Sequence, residues 1–580
     1  DLPPFFLMTL PLAALVLLPG TCRVGRGKRL LLGTLFGAYT ALFLFTALSE
    51  GFFWDEFNCR FNFIAVDYLV YTTEVIGNIM ESYPVLPLLA GILGCAALCS
   101  WLLLRPLGKG LPVFPAARPV FGVWLLFVAA SFVFSPVSLS NNVIRRELSA
   151  NGVWSLFAAF RHNQLDYRQF YPTMDKQAAL AALRSELIEP GATFFSDKPL
   201  EWRRHIKAQG PERQLNVIQI VVESLGSVSL GERTPFLNAI AERSLRFTHM
   251  MATGTRTVRG IEALTLSLPP APGASIVRRP DNTELFNVGS VFRQRGYDQA
   301  FIYGGYGYFD NMNAFFSGNG FRIVDRAVIP DENKTFGNTW GVCDEDLLHT
   351  ALREADASHA QGKPFYQFVL TTSNHRPFTY PDGKIDVPSG RSRSGAIKYT
   401  DYAIGQFLRE AEKHPWFRDT IFVIVADHTA GSAGKTDIPP EQYAIPCLVY
   451  SPAHIEAQSV ATLCSQIDVA PTLFALLGWS YDSGFFGKNI LTMRPEQGRA
   501  WIGTYQLLGR LTDTSLVVLE PLKSPRLEHL SGTTQTDSEQ MASALAGYQS
   551  TQDLFTQGLL RERTVLEPPT LALSLSSTKE

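Results

Sequence analysis

Three apolar runs after about residue 196 each end in side chains that could bind a divalent metal ion. These side chains are Glu223 in the first run, His375 after the second, and Asp427 with His428 in the third. Mixed carboxylate and imidazole ligands suit a hard or borderline divalent cation. Each residue by itself is more often a solvated cap or a structural pair. Their coincidence at three strand-like ends nevertheless predicts one shared functional site.

The candidate nucleophile is a threonine in the segment TGTRTVRGIEALTLSLPP, residues 253–270. The segment changes from Gly, Thr and Arg to an apolar helical pattern, with Arg256 and Arg259 on either side of Thr257. A helix amino terminus favours anions, and guanidinium groups suit phosphate oxygens. A threonine hydroxyl is a weak nucleophile until a metal or a base helps to remove its proton. An N-capping threonine with solvated arginines fits the local sequence equally well.

The elements that must position these residues alternate between strand and helix patterns from about residue 196. Near-continuous apolar strands separated by helices predict an α/β domain with a mostly parallel sheet covered on both faces. Ligands bind such sheets beyond the carboxyl ends of the strands, where the candidate residues lie. The strand-like runs are 215–223, 297–305, 364–372, 420–428 and 444–451.

The amino-terminal quarter of the chain has the composition of a multi-span α-helical membrane domain. Its uncharged stretches each have about the length that crosses a bilayer. We expect this domain to cover residues 1–144, with a further span preceding Asp1. The four stretches are 2–20, 30–49, 82–104 and 119–144.

The charges between these stretches predict which side of the membrane the rest of the chain occupies. All charged residues in the links 21–29 and 105–118 are basic, whereas the charged residues in the link 50–81 are six acids and one arginine. Basic links stay in the cytoplasm, so everything after residue 144 is expected outside the cytoplasmic membrane, in the periplasm or outside the cell.

Within the acidic link, the pattern of polar and apolar residues over about 60–82 predicts an amphipathic helix on the membrane surface. Its polar residues at helical spacing are Asp67, Glu74, Asn78 and Ser82. After the membrane domain we expect a connector over 145–195, a catalytic domain over 196–560 and a tail over 561–580.

The overall charge excludes some classes of partner. The chain has 51 basic and 53 acidic residues, and no basic stripe that would favour nucleic acid. Its seven cysteines form no CxxC pair outside the membrane region, so no zinc ribbon is expected.

The motifs IVVES, TGTRTVRG, TTSNHRPF and VADH, in this order, resemble the lipoteichoic acid synthase family. That family is the phosphoglycerol transferase branch of the alkaline-phosphatase and sulfatase superfamily, and the likeness is to its Gram-negative members. The resemblance implies that Glu223, Thr257, Asp427 and His428 bind one divalent ion, commonly manganese, with zinc or magnesium as alternatives. It also implies a covalent phosphate ester on Thr257, with His375 contacting the phosphate and assisting proton transfer.

One stretch departs from the family pattern. Better-known members place a Trp and an Arg around the glycerol-phosphate headgroup, whereas this chain reads YGYFDNMNAFF over 306–316. Phe309 and Asn311 take those places, and Arg259 is the candidate replacement for the missing cation.

The resemblance implies a membrane-bound enzyme that moves glycerophosphate from phosphatidylglycerol to a glycan or a glycerol-phosphate polymer. One alternative is a phosphoethanolamine transferase with the same metal site. Another is a non-catalytic membrane receptor or scaffold. A sulfatase is disfavoured because no C/S-x-P-x-R motif is present. The acceptor and the oligomeric state stay open.

Overall fold

The structure is a computed structural model that divides the chain into two compact units, which are described separately. The first unit covers residues up to 163, and the second covers 164–433 and 437–580. The structure describes 26–57, 59–70, 72–107, 122, 123, 126, 145, 150–161, 165–198, 200–432, 437–522, 524–530 and 537–566.

The described part of the first unit is helical. Its helices are α1 (Arg26–Phe57), α2 (Phe63–Val70), α3 (Thr72–Ser82), α4 (Val85–Leu107) and α5 (Gly152–Arg161). Helices α1 and α4 pack closely because Gly33 and Gly37 face α4. A Cβ on Gly37 would lie 2.8 Å from the Ser100 hydroxyl oxygen. Small residues four apart let two helix backbones approach each other in this way.

Two predicted spans coincide with long apolar helices. Arg29–Phe57 in α1 and Val85–Leu102 in α4 are long and apolar enough to cross a membrane, judged by length and composition. They contain the predicted spans 30–49 and, for the most part, 82–104. The predicted span 2–20 and nearly all of 119–144 lie outside the described residues.

The region of the predicted surface helix, 60–82, contains two helices, α2 and α3. Asp67 and Glu74 are buried, whereas Leu69, Ile76 and Met80 are exposed. The two acids therefore face the interior of this unit and the apolar side chains face outward. The position of these helices at a membrane surface stays a prediction.

Within its described residues, the second unit contains four sheets and their covering helices. The strands are β1 (Ala192–Phe194), β2 (Arg204–Ile206), β3 (Asn216–Val222), β4 (Leu245–Phe247), β5 (Met250–Met251), β6 (Asp298–Tyr303), β7 (Arg322–Val324), β8 (Phe365–Leu370), β9 (Thr420–Ala426), β10 (Cys447–Tyr450), β11 (Gln458–Val460), β12 (Cys464–Ser465), β13 (Tyr481–Ser483), β14 (Ala500–Gly503), β15 (Leu508–Leu511), β16 (Ser515–Leu519) and β17 (Arg526–His529). The helices are α6 (Tyr167–Phe170), α7 (Lys176–Glu186), α8 (Pro235–Ala241), α9 (Thr257–Leu266), α10 (Val288–Arg293), α11 (Met312–Gly318), α12 (Asp344–Ala360), α13 (Arg393–Ala411), α14 (Val469–Leu476), α15 (Asp537–Thr556) and α16 (Glu562–Leu566).

The main sheet is mixed, with a parallel centre. Its strand order is β11-β4-β10-β9-β3-β8-β6-β7, and all five predicted strands belong to it. Strands β9, β3, β8, β6 and β7 run parallel, whereas β10 is antiparallel to both of its neighbours. The central strand β3 is buried along nearly its whole length. An apolar strand buried on both faces of the sheet needs helices on both sides.

The second unit extends beyond the predicted limits of the catalytic domain. Helix α7 falls in the predicted connector, yet its last residue, Glu186, lies 3.4 Å from Arg499 and 3.3 Å from Arg510. At the other end, α16 lies within the predicted tail, and residues 567–580 are outside the described part. Buried ion pairs therefore join part of the predicted connector to the core of the second unit.

Candidate active site

Three adjacent parallel strands bring the predicted metal ligands to one edge of the sheet. In the ladder, Val222 of β3 pairs with Ala426 of β9, so the next residues, Glu223 and Asp427, leave the sheet side by side. On the other side of β3, the loop after β8 returns over the strand end. There the Asn374 side-chain amide donates to the Glu223 carbonyl at 2.9 Å.

Glu223, Asp427 and His428 form a compact buried cluster. Each offers one ligand atom, and these atoms all lie within 4.8 Å of one another. His428 Nε2 lies 3.5 Å from Glu223 Oε1 and 3.7 Å from Asp427 Oδ2. The other ring nitrogen, Nδ1, lies 3.0 Å from the Thr429 carbonyl and is therefore its donor. That bond leaves Nε2 to face the two carboxylates.

The electrostatics of the cluster favour a bound cation. Burial and the neighbouring charge of Glu223 raise the pKa of Asp427. Burial also opposes ionisation of Glu223, but the imidazoles of His375 and His428 hold its pKa well below the usual range. Asp427 Oδ2 is buried without a hydrogen-bond partner. Two crowded carboxylates and an unsatisfied ligand oxygen fit a divalent metal ion.

Thr257 begins helix α9 beside this cluster. Its hydroxyl donates to Glu223 Oε2 at 3.2 Å, and Arg256 occupies the N-cap position in extended conformation. Gly260, one turn further along, lets the helix lie against the strand end. A Cβ at that position would lie 2.6 Å from the Asp427 carbonyl oxygen. A larger residue would therefore push the hydroxyl away from the metal ligands.

His375 reaches the same carboxylate oxygen as Thr257. Its Nε2 lies 3.4 Å from Glu223 Oε2. The imidazole stacks on the Trp340 indole, with ring centroids 4.4 Å apart and planes 16° from parallel. The indole nitrogen donates to the Arg376 carbonyl at 2.7 Å. The five predicted ligands and catalytic residues thus converge, and Trp340 holds the ring of one of them.

Sequence reasoning missed three residues that support the cluster: Ser224, Trp340 and Gln466. Ser224 has a positive φ of 53°. Its hydroxyl donates to Glu223 Oε1 at 2.6 Å, and its backbone N–H donates to Asp427 Oδ1 at 2.8 Å. Its position directly after Glu223 was the available signal. Gln466 donates to the Asp427 carbonyl at 2.7 Å from a distant loop, for which the sequence carries no signal.

Of the predicted headgroup residues Phe309 and Asn311, the first borders the site and the second bonds to the backbone of another segment. Phe309 packs edge-on against Trp340, with ring centroids 5.4 Å apart, and so borders the His375 side of the site. The side-chain amide of Asn311 donates to the Val277 carbonyl at 2.9 Å.

Arg259 does not take the role predicted for it. Its guanidinium is buried, pairs with Glu262 at 2.8 Å and also donates to the Gly273 carbonyl. It sits on the third position of α9, so its side chain turns into the domain core. Arg259 therefore packs helix α9 against the domain core, and its position does not support the predicted replacement of a headgroup cation.

Comparison with known proteins agrees with this geometry. The Sulfatase family model matches residues 215–479, which include every predicted ligand and catalytic residue described above. A solved protein of the alkaline phosphatase superfamily from Vibrio parahaemolyticus is 32% identical, with a TM-score of 0.64. The match covers 68% of this chain and 100% of that chain. This chain belongs to the alkaline phosphatase superfamily.

Other superfamily relatives carry the names that the sequence motifs suggested. Lipoteichoic acid synthase 2 of Bacillus subtilis is 26% identical over 304 residues, which are 47% of this chain and 46% of that protein. Phosphoglycerol transferase I of Salmonella paratyphi B is 28% identical over 247 residues, 38% of this chain and 32% of that protein. The chain thus spans less than half the length of these curated relatives.

A second solved structure supports the fold. The lipoteichoic acid synthase LtaP from Listeria monocytogenes has a TM-score of 0.51 at 19% identity, over 60% of this chain and 93% of that chain. The superfamily fold is therefore shared with an enzyme of the group that the motifs resemble.

Proposed function

We propose that this protein is a membrane-bound phosphoglycerol transferase with a covalent phosphothreonine intermediate. It takes the glycerophosphate group from phosphatidylglycerol and passes it to a glycan or a glycerol-phosphate polymer outside the cytoplasmic membrane. The observation that carries the proposal is the Thr257 hydroxyl at the start of α9, 3.2 Å from Glu223 in a buried carboxylate and imidazole cluster. Relatives named phosphoglycerol transferase I and lipoteichoic acid synthase support the choice of transferred group.

The residues that would hold the metal ion are Glu223, Thr257, Asp427 and His428, with manganese as the expected ion and zinc or magnesium as alternatives. When bound, such an ion stabilises negative charge on phosphoryl oxygens and helps an attacking hydroxyl to lose its proton. The side chains fit this role because they combine oxygen and nitrogen ligands with a buried carboxylate oxygen that has no hydrogen-bond partner.

In the first step, Thr257 Oγ1 releases its proton to solvent and bonds to the phosphorus of the lipid. The bond from phosphorus to the diacylglycerol oxygen breaks, and His375 gives that oxygen a proton. The helix amino terminus behind Thr257 favours the anionic phosphate. Positioning the hydroxyl next to the lipid headgroup converts an encounter in solution into an almost intramolecular reaction.

In the second step, an acceptor hydroxyl replaces Thr257 on phosphorus. His375 takes the proton of the acceptor as the new phosphate ester forms, and Thr257 leaves and regains its own proton. The same imidazole thus serves as acid and then as base, which returns the site to its starting state.

The apolar helices α1 and α4 support anchoring in a membrane. By the positive-inside rule, the basic links flanking them stay in the cytoplasm and the second unit lies outside. Such an anchor keeps the domain next to its lipid donor.

The test is mass spectrometry of Thr257 after mixing the full chain with phosphatidylglycerol or phosphatidylethanolamine. We expect the mass of glycerophosphate on Thr257, and release of diacylglycerol, only with phosphatidylglycerol. Thr257→Ala should abolish both signals without loss of folding, and Thr257→Ser, which keeps a hydroxyl, should retain part of them. Phosphoethanolamine on Thr257 would identify phosphatidylethanolamine as the donor instead of phosphatidylglycerol. Transfer by Thr257→Ala at the wild-type rate would refute the mechanism.

A further inference from the structure

Exposed apolar side chains collect at the edge of the main sheet that carries the candidate site. Half of the large hydrophobic residues exposed in the described part of the second unit follow the carboxyl ends of parallel strands. These four, named here the site rim, are Val228, Tyr306, Tyr308 and Val328, with relative exposures of 92%, 39%, 55% and 59%. The other four are Ile188, Leu491, Leu522 and Leu530.

The rim begins beside the metal cluster and extends away from it along the sheet edge. Val228 lies in the short turn after β3, five residues beyond Glu223. That turn is held next to the metal-binding loop, because the adjacent Gly226 lies against the Thr429 side chain. The other three rim residues follow β6 and β7, two and three strands away from β3. With neighbouring strands about 4.8 Å apart, the rim extends roughly 15 Å along the edge.

The loops that carry the tyrosines and Val328 are tied together. Buried Asp325 accepts from the Gly307 N–H at 3.0 Å, from the Asn313 side-chain amide at 2.8 Å, and from the Ala327 N–H at 3.0 Å. The Tyr306 and Tyr308 rings stack with centroids 5.8 Å apart. These bonds hold the apolar side chains in place although water surrounds them, so their exposure is built into the fold.

The chemistry of the rim suits the interfacial region of an anionic bilayer. Tyrosine is enriched at membrane interfaces because it combines an apolar ring with a polar hydroxyl. The Arg326 guanidinium lies 5.2 Å from the Tyr306 ring centroid, which places a cation among the apolar groups. Cations near the bilayer surface attract acidic lipids. Helices α1 and α4, which are apolar enough to cross a membrane, belong to the same chain.

We propose that the site rim inserts into the membrane interface and thereby presents the candidate site to the headgroups of anionic lipids. This inference rests on the proposed function for the identity of the lipid donor. The proposed occupant of this surface is a lipid bilayer. The experiment below distinguishes a bilayer from a protein partner on the same surface.

The first experiment measures insertion without using activity. The full chain is reconstituted in nanodiscs that contain phosphatidylglycerol and a lipid-borne quencher, and a fluorophore is attached at Val228→Cys or Tyr308→Cys. The control is Ile188→Cys, which is 63% exposed and precedes a strand of a separate sheet. Wild-type chain labelled in parallel gives the background from native cysteines.

We expect quenching at positions 228 and 308 and none above background at position 188. Quenching at 188 equal to that at 228 would overturn the proposal. Protection of position 228 from a water-soluble quencher without any quenching by lipid would also overturn it and would indicate a protein partner.

The second experiment separates access to the bilayer from chemistry. Transfer is measured from long-chain phosphatidylglycerol in proteoliposomes and from a short-chain, water-soluble form of the same lipid. For Val228→Asp combined with Tyr308→Asp, we expect a roughly tenfold lower rate with the bilayer lipid and an unchanged rate with the soluble lipid. Ile188→Asp should leave both rates unchanged.

An equal loss of transfer rate with both lipids, or no loss with either, would overturn the proposal that the rim inserts into the membrane. If the wild-type chain transferred from neither lipid, the proposed function would fail, and the quenching measurement would still decide whether the rim meets the membrane.

Discussion

The indole of Trp340 lies parallel to the imidazole of His375, 4.4 Å away, and so defines the plane in which that imidazole faces Glu223. Phe309 contacts the indole edge-on. In the proposed mechanism this imidazole gives a proton to the leaving oxygen and takes one from the acceptor, and it needs a fixed ring plane because proton transfer depends on hydrogen-bond geometry. Trp340 is therefore a positioning residue that acts through His375.

Trp340→Leu should lower kcat for glycerophosphate transfer by roughly 10- to 100-fold while KM changes little, because a residue that only orients His375 acts on the proton transfer and not on binding. Trp340→Phe, which keeps a flat ring, should recover a large part of kcat. The measurement is steady-state transfer by both variants with thermal unfolding as a control for folding. A rise in KM alone, or equal losses for both variants, would contradict a positioning role.

Removal of the metal ion should stop transfer and lower thermal stability. A ligand that binds only the folded state at 100 times its Kd stabilises it by about 2.7 kcal/mol. Asp427→Asn should abolish the rise in Tm on adding manganese, because it removes a ligand oxygen from the buried cluster. The metal-free variant should be at least as stable as metal-free wild type, because burial and Glu223 already disfavour the charge on Asp427.

The matched control for the metal response is Asp482→Asn, whose carboxylate pairs with His205 at the surface. It should keep the full response to manganese. A normal rise in Tm for Asp427→Asn would show that the ion binds elsewhere.

Loss of Arg259 should affect stability instead of substrate binding. Arg259→Met removes the direct ion-pair partner of buried Glu262, and breaking a buried pair from one side typically costs about 3–5 kcal/mol. Arg259→Met combined with Glu262→Leu should recover much of that loss, because both members of the buried pair are removed together. Thermal unfolding and KM are measured for both. An unchanged Tm with a raised KM for Arg259→Met would restore the role in phosphate binding.

Stability should rise with pH above about 8 through one buried lysine. Burial, together with the charge of Arg499, lowers the pKa of Lys488 to about 8 from 10.5. Between these values the unfolded chain binds a proton that the folded protein has lost, so raising the pH favours folding. Relative to Lys488→Met, wild type should gain about 2–3 kcal/mol from pH 8 to 10. Parallel pH dependence of the two unfolding curves would contradict this.

The amino-acid sequence by itself determined the strands and the chemistry they deliver. Runs of buried apolar residues predict β3, β8 and β9 because a strand covered on both faces has few positions for polar side chains. Glu223, His375, Asp427 and His428 follow these strands, and parallel strands end at the same edge. The convergence of these residues was therefore predictable without coordinates, as was the apolar character of α1 and α4.

Tertiary structure alone decided which polar residues serve the site and which serve the core. Arg259 lies two residues from Thr257, but the direction of a helical side chain carries it to Glu262 in the interior. Trp340 and Gln466 lie far from the ligands in sequence, and only the folding of their loops over the strand ends brings them into contact. Packing between distant segments is set by the whole fold, because no local spacing or periodicity records it.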